Sequence, residues 1–567
     1  MPKENAVIST QYSNYEAKDF TFSKVLSDQA RRNGDKTFLT FVPDGRTYSY
    51  REIDLASNRV ANGLLAAGIG KGHHVAMLME NSPEQVLAYF ALAKIGAVVV
   101  PINTAARGSF LEYYLINSDS TALVVDQSLL EHALAVERRD RIAKIFVVAE
   151  PGTAELTAED AFCTLADFRT LERASDSPPG IDVKFSDICS IMYTSGTTGP
   201  SKGNIFSHIH ALSFALPFVP VLKYDENDVY YLSLPLFHAA AYNGGLLLML
   251  MVGGSAALTR RFSISNFWTE VRATKATISM ILSMGHFLMA QPPSPDDRNN
   301  HLRLLISAPM LPNAAAFEQR FGPKLTQGYG LSDYCCAFSQ PLNIPDSKRM
   351  SMGRPLEGVD VRLVDDDDNE VPTGEIGEIC LRKNDMPFAA AQGYYRMPEA
   401  TLAATRNLWF HTGDRGRRDE DGYYYFVDRK KDAIRRRGEN ISTYEVETAI
   451  AKHHAIADVA VYPIKIASGE DEVGTSVVLH AGELLSEEEL FGYCKANMPH
   501  YMVPRFIEFR SALPRTLTDK VRKQEMREHV ESNLDSVWDC ERVGLSTRDK
   551  ERMAVQVRIG RSVDTIA

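Results

Sequence analysis

HVAMLMENSPEQVLAYFALAKIGAVVVPI, residues 74–102, sets an apolar run, a capped apolar helix pattern and a β-branched run in immediate succession. His74 to Met79 reads as a strand. Ser82 followed by Pro83 is a helix start, because a serine oxygen accepts from the free N–H groups of a first turn and proline is pre-set for its backbone angle. AVVVPI, residues 97–102, then returns as a second strand. A strand–helix–strand crossover joins parallel neighbours, so this stretch predicts a parallel α/β sheet.

The same rhythm extends in both directions. Upstream, YREIDLASNRVANGLLAAGI, residues 50–69, spaces Ile53, Leu55, Val60, Leu64 and Leu65 at near-helical intervals and closes on Gly70. Downstream, ALVVD (122–126) and KIFVVA (144–149) supply further strands, and DICSIMY (187–193) reads as a buried one. After Gly358 the texture changes: residues 359–382 alternate apolar and polar, with a Pro/Gly turn and an acidic run, Asp365 to Asp368, where an antiparallel hairpin would reverse. In DRKKDAIRRRG, residues 428–438, charge density peaks and no apolar face can be drawn, which predicts a linker. The residues beyond read as a small α+β unit, with EVETAIAKH helical, DVAVYPI and GTSVVLHA as strands, and SEEELFGYCKANM as a capped helix. The fold class expected is α/β, a large N-terminal domain of parallel-rich sheets with helices plus a small β-rich subdomain, then a small mobile α+β C-terminal domain.

At 567 residues the chain is too long for one core, which agrees with two or more domains. Hydrophobic residues at 44% and charged residues at 24% are ordinary for a globular protein. A net charge of -11 argues against a nucleic-acid surface, which carries a basic field. The seven cysteines include no CxxC pair and read as reduced thiols, with Cys335 and Cys336 as packing residues. The first twenty residues contain no apolar signal core, and the apolar run 239–258 is broken by Asn243 and four glycines, so neither export nor a transmembrane segment is expected and a cytoplasmic location is.

Directly after the strand at 187–193 comes a loop that carries chemistry. YTSGTTGPSKG, residues 193–203, packs three glycines, five Ser/Thr hydroxyls and one lysine into a turn-rich stretch. Gly196, Gly199 and Gly203 allow close backbone approach to an anion, Thr194, Ser195, Thr197 and Thr198 donate hydrogen bonds, and Lys202 adds a mobile positive charge. A nucleoside triphosphate is the ligand this suggests, although the spacing is not that of a Walker A loop. The run from Ile205 reads as helical, giving strand, loop and helix.

The string resembles the signature loop of the adenylate-forming superfamily, which includes acyl-CoA synthetases, firefly luciferase and the adenylation domains of peptide synthetases. LPLFHAA (234–240), QGYGLSD (327–333), HTGD (411–414), YYYFVDRKKD (423–432), RRGEN (436–440) and LPRTLTDKVRK (513–523) follow in the superfamily's order, so the resemblance spans residues 20 to 530. It implies an ATP-dependent acid:CoA ligase that makes an acyl-AMP and transfers the acyl group to the thiol of coenzyme A, with domains 1–430 and 431–567 and a hinge at Lys431. Lys520 takes the place of the adenylation lysine, and His238 that of the residue lining the carboxylate site beside an aromatic gate. Gln327, Gly328, Tyr329 and Gly330 belong to the adenine motif, with Ala308 opposite Tyr329; Ser332 and Asp333 serve phosphate and Mg²⁺. Asp414 and Arg429 are expected at the ribose or phosphates, and Gly438 on the loop that guides the pantetheine thiol. Arg435, Arg436 and Arg437 are candidates for the CoA phosphates.

Three departures from the family pattern stand out. Ser332-Asp333 replaces Thr-Glu, which keeps a donor and a carboxylate but shortens the latter by one methylene. Ile306-Ser307 replaces two glycines ahead of Ala308 and suggests a bulkier pocket floor. Asp519 stands where glycine is common and either stiffens the loop or holds Lys520 in an ion pair. AIRRRGENISTYEVE (433–447) is similar to the carnitine and crotonobetaine CoA ligase branch, and a short or medium, branched, cyclic or polar acid is the expected range. Transfer to a carrier protein and a nucleotide-binding regulator without chemistry remain as alternatives, and a homodimer is an open expectation.

Overall fold

The computed structural model describes residues 15–547 except 151, 154–156, 160–162, 195–199, 283, 309, 312, 387, 430–433, 442, 467–469 and 515–520. The chain forms two compact units: 1–104, 112–194 and 202–430 make the first, and 105–111, 195–201 and 431–567 the second.

In the first unit the stretch 74–102 folds as its pattern dictates. Strands His74–Leu78 and Val98–Pro101 pair in parallel through helix Pro83–Lys94, whose N-cap Ser82 accepts from the Gln85 N–H. They lie inside an eight-stranded sheet in the order Lys202–Ser207, Ile188–Thr194, Val98–Pro101, His74–Leu78, Ala122–Asp126, Lys144–Val148, Thr164–Asp167, Thr157–Glu159. The interior pairs are parallel, and both outermost pairs are antiparallel. A seven-stranded sheet, with strands such as Val229–Leu232, Ile278–Ile281 and Leu304–Ser307, is parallel except for the edge strand Thr47–Ser49.

Side chains from helices Phe22–Asn33, Tyr50–Ala66, Pro83–Lys94, His208–Ser213 and Leu247–Val252 share one hydrophobic core with residues from both sheets. Every residue of Pro83–Lys94 except Glu84 is buried, as expected of a helix apolar on all sides. A side chain such as Phe90, fully buried, contributes about 1.5–3 kcal/mol relative to exposure. Gln85 and Lys94 are the buried polar residues of this helix; the Lys94 ammonium meets Asp54 Oδ1 at 2.6 Å and Asn58 Oδ1 at 2.7 Å, and burial holds its pKa below the usual lysine value.

The expected antiparallel region follows. Val359–Val364, Ile376–Lys383, Phe410–Arg418 and Tyr424–Arg429 form a four-stranded sheet, and Asp365 opens the first connection by accepting from the Asp367 and Asn369 N–H groups. The proposed linker is only partly irregular. The strand Tyr424–Arg429 runs into it, and Ile434–Arg436 pairs with Glu439–Ile441, because Ile434 and Ile441 find an apolar core that local charge density did not reveal. In the second unit Ile456–Lys465, Asp471–Leu479, Phe506–Phe509 and Trp538–Asp539 form a sheet beside helices Thr443–Ile450 and Glu487–Asn497, the latter opened by a Ser486/Glu489 capping box. No helix among the described residues is long and apolar enough to cross a membrane, and all seven cysteines are buried and unbridged.

Candidate active site

The loop is flanked differently from its sequence reading. Ile205 and Phe206 continue a strand, Lys202–Ser207, which pairs antiparallel with Ile188–Thr194; helix His208–Ser213 starts only after Ser207, whose side chain caps it. Thr194 faces Lys202 across the base of the loop, and Gly203 faces Tyr193. Gly203 is required by packing, since a Cβ there would lie 2.7 Å from Ile191 Cγ2. Ser195, Gly196, Thr197, Thr198 and Gly199 lie outside the described residues. Lys202 places its ammonium 4.5 Å from the Tyr394 ring centroid, a cation–π contact.

The Tyr394 hydroxyl in turn donates to Asp333 Oδ2 at 2.9 Å. Asn204, two residues after Lys202 and therefore on the same face of the strand, donates from Nδ2 to Asp333 Oδ1 at 3.2 Å and to Thr194 Oγ1 at 3.4 Å. Sequence reading missed both Asn204 and Tyr394. An amide beside Ile205 and Phe206 in a buried strand was the available signal for the first. The cluster is made of oxygen donors: a carboxylate, a threonine hydroxyl and the Asn204 carbonyl oxygen, which is buried and accepts nothing among the described residues. Such a set fits Mg²⁺, which takes one or two carboxylates and completes its shell with water and substrate phosphates.

Four residues before Asp333, the Tyr329 hydroxyl donates to Asp414 Oδ2 at 2.7 Å, so the residues expected at adenine and at ribose meet directly. Tyr329 sits in the short strand Gly328–Gly330, and its ring lies 5.7 Å from that of Phe338. Gly328 is packed too tightly for a side chain: a Cβ would approach Phe218 Cε1 to 2.9 Å. At Gly330 it would approach Cys336 Cα to 2.8 Å. The Gln327 side chain accepts from the Met310 N–H, tying the motif to the segment that carries Ala308. The Ala308 N–H donates to the Ile281 carbonyl at 3.4 Å. Ser332 lies half-buried in the turn between Leu331 and Tyr334. Ile306 packs into the helical core.

Asp414 is 4% exposed and is held through its backbone. Its N–H donates to Thr412 Oγ1 at 3.1 Å, Thr412 Oγ1 donates to the Ile379 carbonyl at 2.8 Å, and the Gly413 N–H donates to Glu378 Oε1 at 3.1 Å. Gly413 has φ +72°, the left-handed region that glycine enters without strain. Arg429 is the cross-strand partner of Asp414. His238 is half-buried with its ring 4.5 Å from that of Phe237, and it leads into a π-helical turn, Tyr242–Leu246, a form found often at functional sites.

In the second unit, Arg437 (φ +53°) and Gly438 (φ +85°) form the two-residue turn between Arg436 and Glu439, the geometry of a type I′ hairpin. Arg436 is not available to CoA phosphates. It is fully buried, donates to the Tyr501 and Val503 carbonyls at 3.1 and 2.8 Å and pairs with Glu472 at 2.5 Å. Glu445 accepts from the Ser201 N–H at 2.5 Å and from its hydroxyl, and burial pushes its carboxyl up to about 7. Lys431, Asp519 and Lys520 lie outside the described residues.

Comparison with known proteins bears on the family. Residues 26–395 match the AMP-binding enzyme family, and residues 445–520 match the AMP-binding enzyme C-terminal domain. Crotonobetaine/carnitine–CoA ligase of Salmonella choleraesuis is 34% identical over 519 residues, covering 89% of this chain and 98% of the relative. The o-succinylbenzoate CoA synthetase of Bacillus subtilis shares the fold, with a TM-score of 0.77 at 24% identity over 90% of this chain and 98% of that one. ATP-bound MatB of Rhodopseudomonas palustris superposes with a TM-score of 0.66 at 27% identity, covering 90% and 99%. Motif order, fold and relatives agree that the chain belongs to the AMP-binding enzyme family, as an AMP-forming acid–thiol ligase of the acyl-CoA synthetase type.

Proposed function

We propose that the ligase activates a short or medium-length carboxylic acid, with branched, cyclic and polar acids in range, and passes it to coenzyme A through the residues described above. In the first half-reaction a substrate carboxylate oxygen attacks the α-phosphorus of ATP, forming acyl-AMP and releasing pyrophosphate. In the second the CoA thiol attacks the acyl carbonyl, the acyl–phosphate bond breaks, and AMP leaves. The contact of Tyr329 with Asp414 at 2.7 Å carries the reading, because it puts the adenine and ribose candidates in one place.

Tyr329, on the strand flanked by Gly328 and Gly330 and tied down by Gln327, takes one purine face and Ala308 the other. Asp414 accepts from the ribose hydroxyls, and Arg429 donates to the ribose or phosphate oxygens. Thr194, Ser195, Gly196, Thr197, Thr198, Gly199, Lys202 and Ser332 donate to the phosphates. Asp333 holds Mg²⁺, which when bound neutralises phosphate charge. His238 orients the acid, Lys520 bridges its carboxylate to the nucleotide, Lys431 is the hinge between half-reactions, and Gly438 lies on the thiol's route. The 34% identity to a crotonobetaine/carnitine–CoA ligase supports including quaternary-ammonium acids among the candidates. A homodimer and a cytoplasmic location complete the reading, to be checked by sedimentation and by fractionation.

A screen of carboxylic acids for pyrophosphate release, with and without CoA, tests the proposal. Acid-dependent release without CoA and thioester formation with it are expected; acid-independent behaviour across the screen overturns it. Lys520→Ala then separates the steps, abolishing acyl-AMP formation while sparing CoA transfer from synthetic acyl-AMP. Equal loss of both rejects that role for Lys520.

A further inference from the structure

We infer that Asn204 is a positioning residue for the metal carboxylate, an inference that rests on the reading of Asp333 as the Mg²⁺ ligand. The strand Lys202–Ser207 is otherwise built for packing around this point, with Gly203 and Phe206 buried, yet Asn204 is itself fully buried and polar. A buried amide is tolerated when its hydrogen bonds are made, and here the donor end is used twice. Asp333 can only accept, so the NH₂ end must face it, and the same end reaches Thr194 at the mouth of the loop. That orientation leaves Oδ1 buried as an acceptor with no partner among the described residues.

Asp333 therefore has one oxygen held by Asn204 and the other by Tyr394. An aspartate on a turn has freedom about its side-chain torsions, and two donors on opposite oxygens remove it. The clamp fixes the carboxylate before the cation arrives, and Asn204 Oδ1, which accepts nothing among the described residues, is left to accept from a water of the cation's shell, since Mg²⁺ retains several waters. Asn204 couples that carboxylate to Thr194, so loop and metal site are held in one register.

Binding of α,β-methylene-ATP, measured by calorimetry with excess Mg²⁺ and with EDTA, tests this without turnover. In the native enzyme Mg²⁺ tightens binding. In Asn204→Ala that gain should shrink by roughly tenfold, the loss of one hydrogen bond to a charged acceptor, while affinity in EDTA stays within about twofold. Equal weakening in both buffers, or an unchanged Mg²⁺ gain, overturns the inference. Asn204→Ser, which keeps a small polar group too short to span to Asp333, should behave like the alanine variant and serves if the latter does not fold. Asp333→Asn tells the two readings apart: a full Mg²⁺ gain in that variant removes the metal role of Asp333 itself, whereas loss there with none in Asn204→Ala removes only the role of Asn204.

Discussion

Asp414 and Asp333 are both carboxylates assigned to the nucleotide, and the protein holds them differently. Asp414 lies inside a strand, and the backbone around it is fixed by Thr412 on the same strand and by Ile379 and Glu378 on the adjoining one, with a single side-chain donor, Tyr329, on its carboxylate. Asp333 lies on a turn and is held through its side chain by Asn204 and Tyr394, 129 and 61 residues away. A carboxylate on a strand takes most of its position from the register of that strand with its neighbour. One placed by side chains depends on partners that no local motif contains.

The sharpest test of that contrast replaces each carboxylate by its amide. Asp333→Asn should lower the rate of acyl-AMP formation by about 10²–10³-fold, the scale for losing one electrostatic stabiliser of the transition state. Asp414→Asn should instead raise the KM for ATP by roughly 10–100-fold, following about 1.5–3 kcal/mol for hydrogen bonds to a charged group, with a smaller change in kcat. Identical kinetic signatures would break the comparison.

Glu445, a third carboxylate, extends it to the second unit. Its folded-state value of about 7 lies above the usual 4.5, chiefly through burial, so the folded form retains a proton that the unfolded chain releases. Stability should therefore decline as pH rises from 4.5 to 7, by at most about 1.4 kcal/mol per pH unit from this group. In Glu445→Gln that part of the slope should vanish; denaturant titrations across this range that superpose for the two proteins would contradict it. The smallest effect expected is that of Tyr329→Phe, which removes the hydroxyl from Asp414. About 1 kcal/mol, or roughly a fivefold rise in KM for ATP, is predicted. A change in kcat alone would place Tyr329 nearer the reacting atoms than the ribose.

Local sequence made much of this structure legible. The stretch 74–102 contains its own strand pattern, cap and helix length, and the Ser486/Glu489 capping box marks its helix as plainly. The strand after the glycine loop was misread because Ile205 and Phe206 suit either state, and the choice was made by the pairing of residues 202–207 with 188–194. Ile434–Arg436 was hidden for a related reason. Its charged residues mask an alternation in which Ile434 is buried with Ile441, and Arg436 is buried because two carbonyls and Glu472 receive its guanidinium. The motifs named Tyr329, Asp333 and Asp414 as candidates, and the structure brings Tyr329 to Asp414 and Asn204 and Tyr394 to Asp333. They could not give the Asn204–Asp333 contact, since nothing in either neighbourhood names the other.

The strand that carries Lys202 and Asn204 ends its sheet, but its outer side is not bare. Ile205 donates to the Gly393 carbonyl at 3.1 Å, Tyr395 donates to the Gly203 carbonyl at 2.8 Å, and Gln392 donates to the Ile205 carbonyl at 3.4 Å. Those main-chain bonds occupy the positions that an incoming strand from another molecule would need. The border nearest the glycine-rich loop is thus sealed against sheet extension, and because the seal is made of backbone it survives side-chain changes at position 204. A second copy of this chain therefore cannot add a strand at this edge.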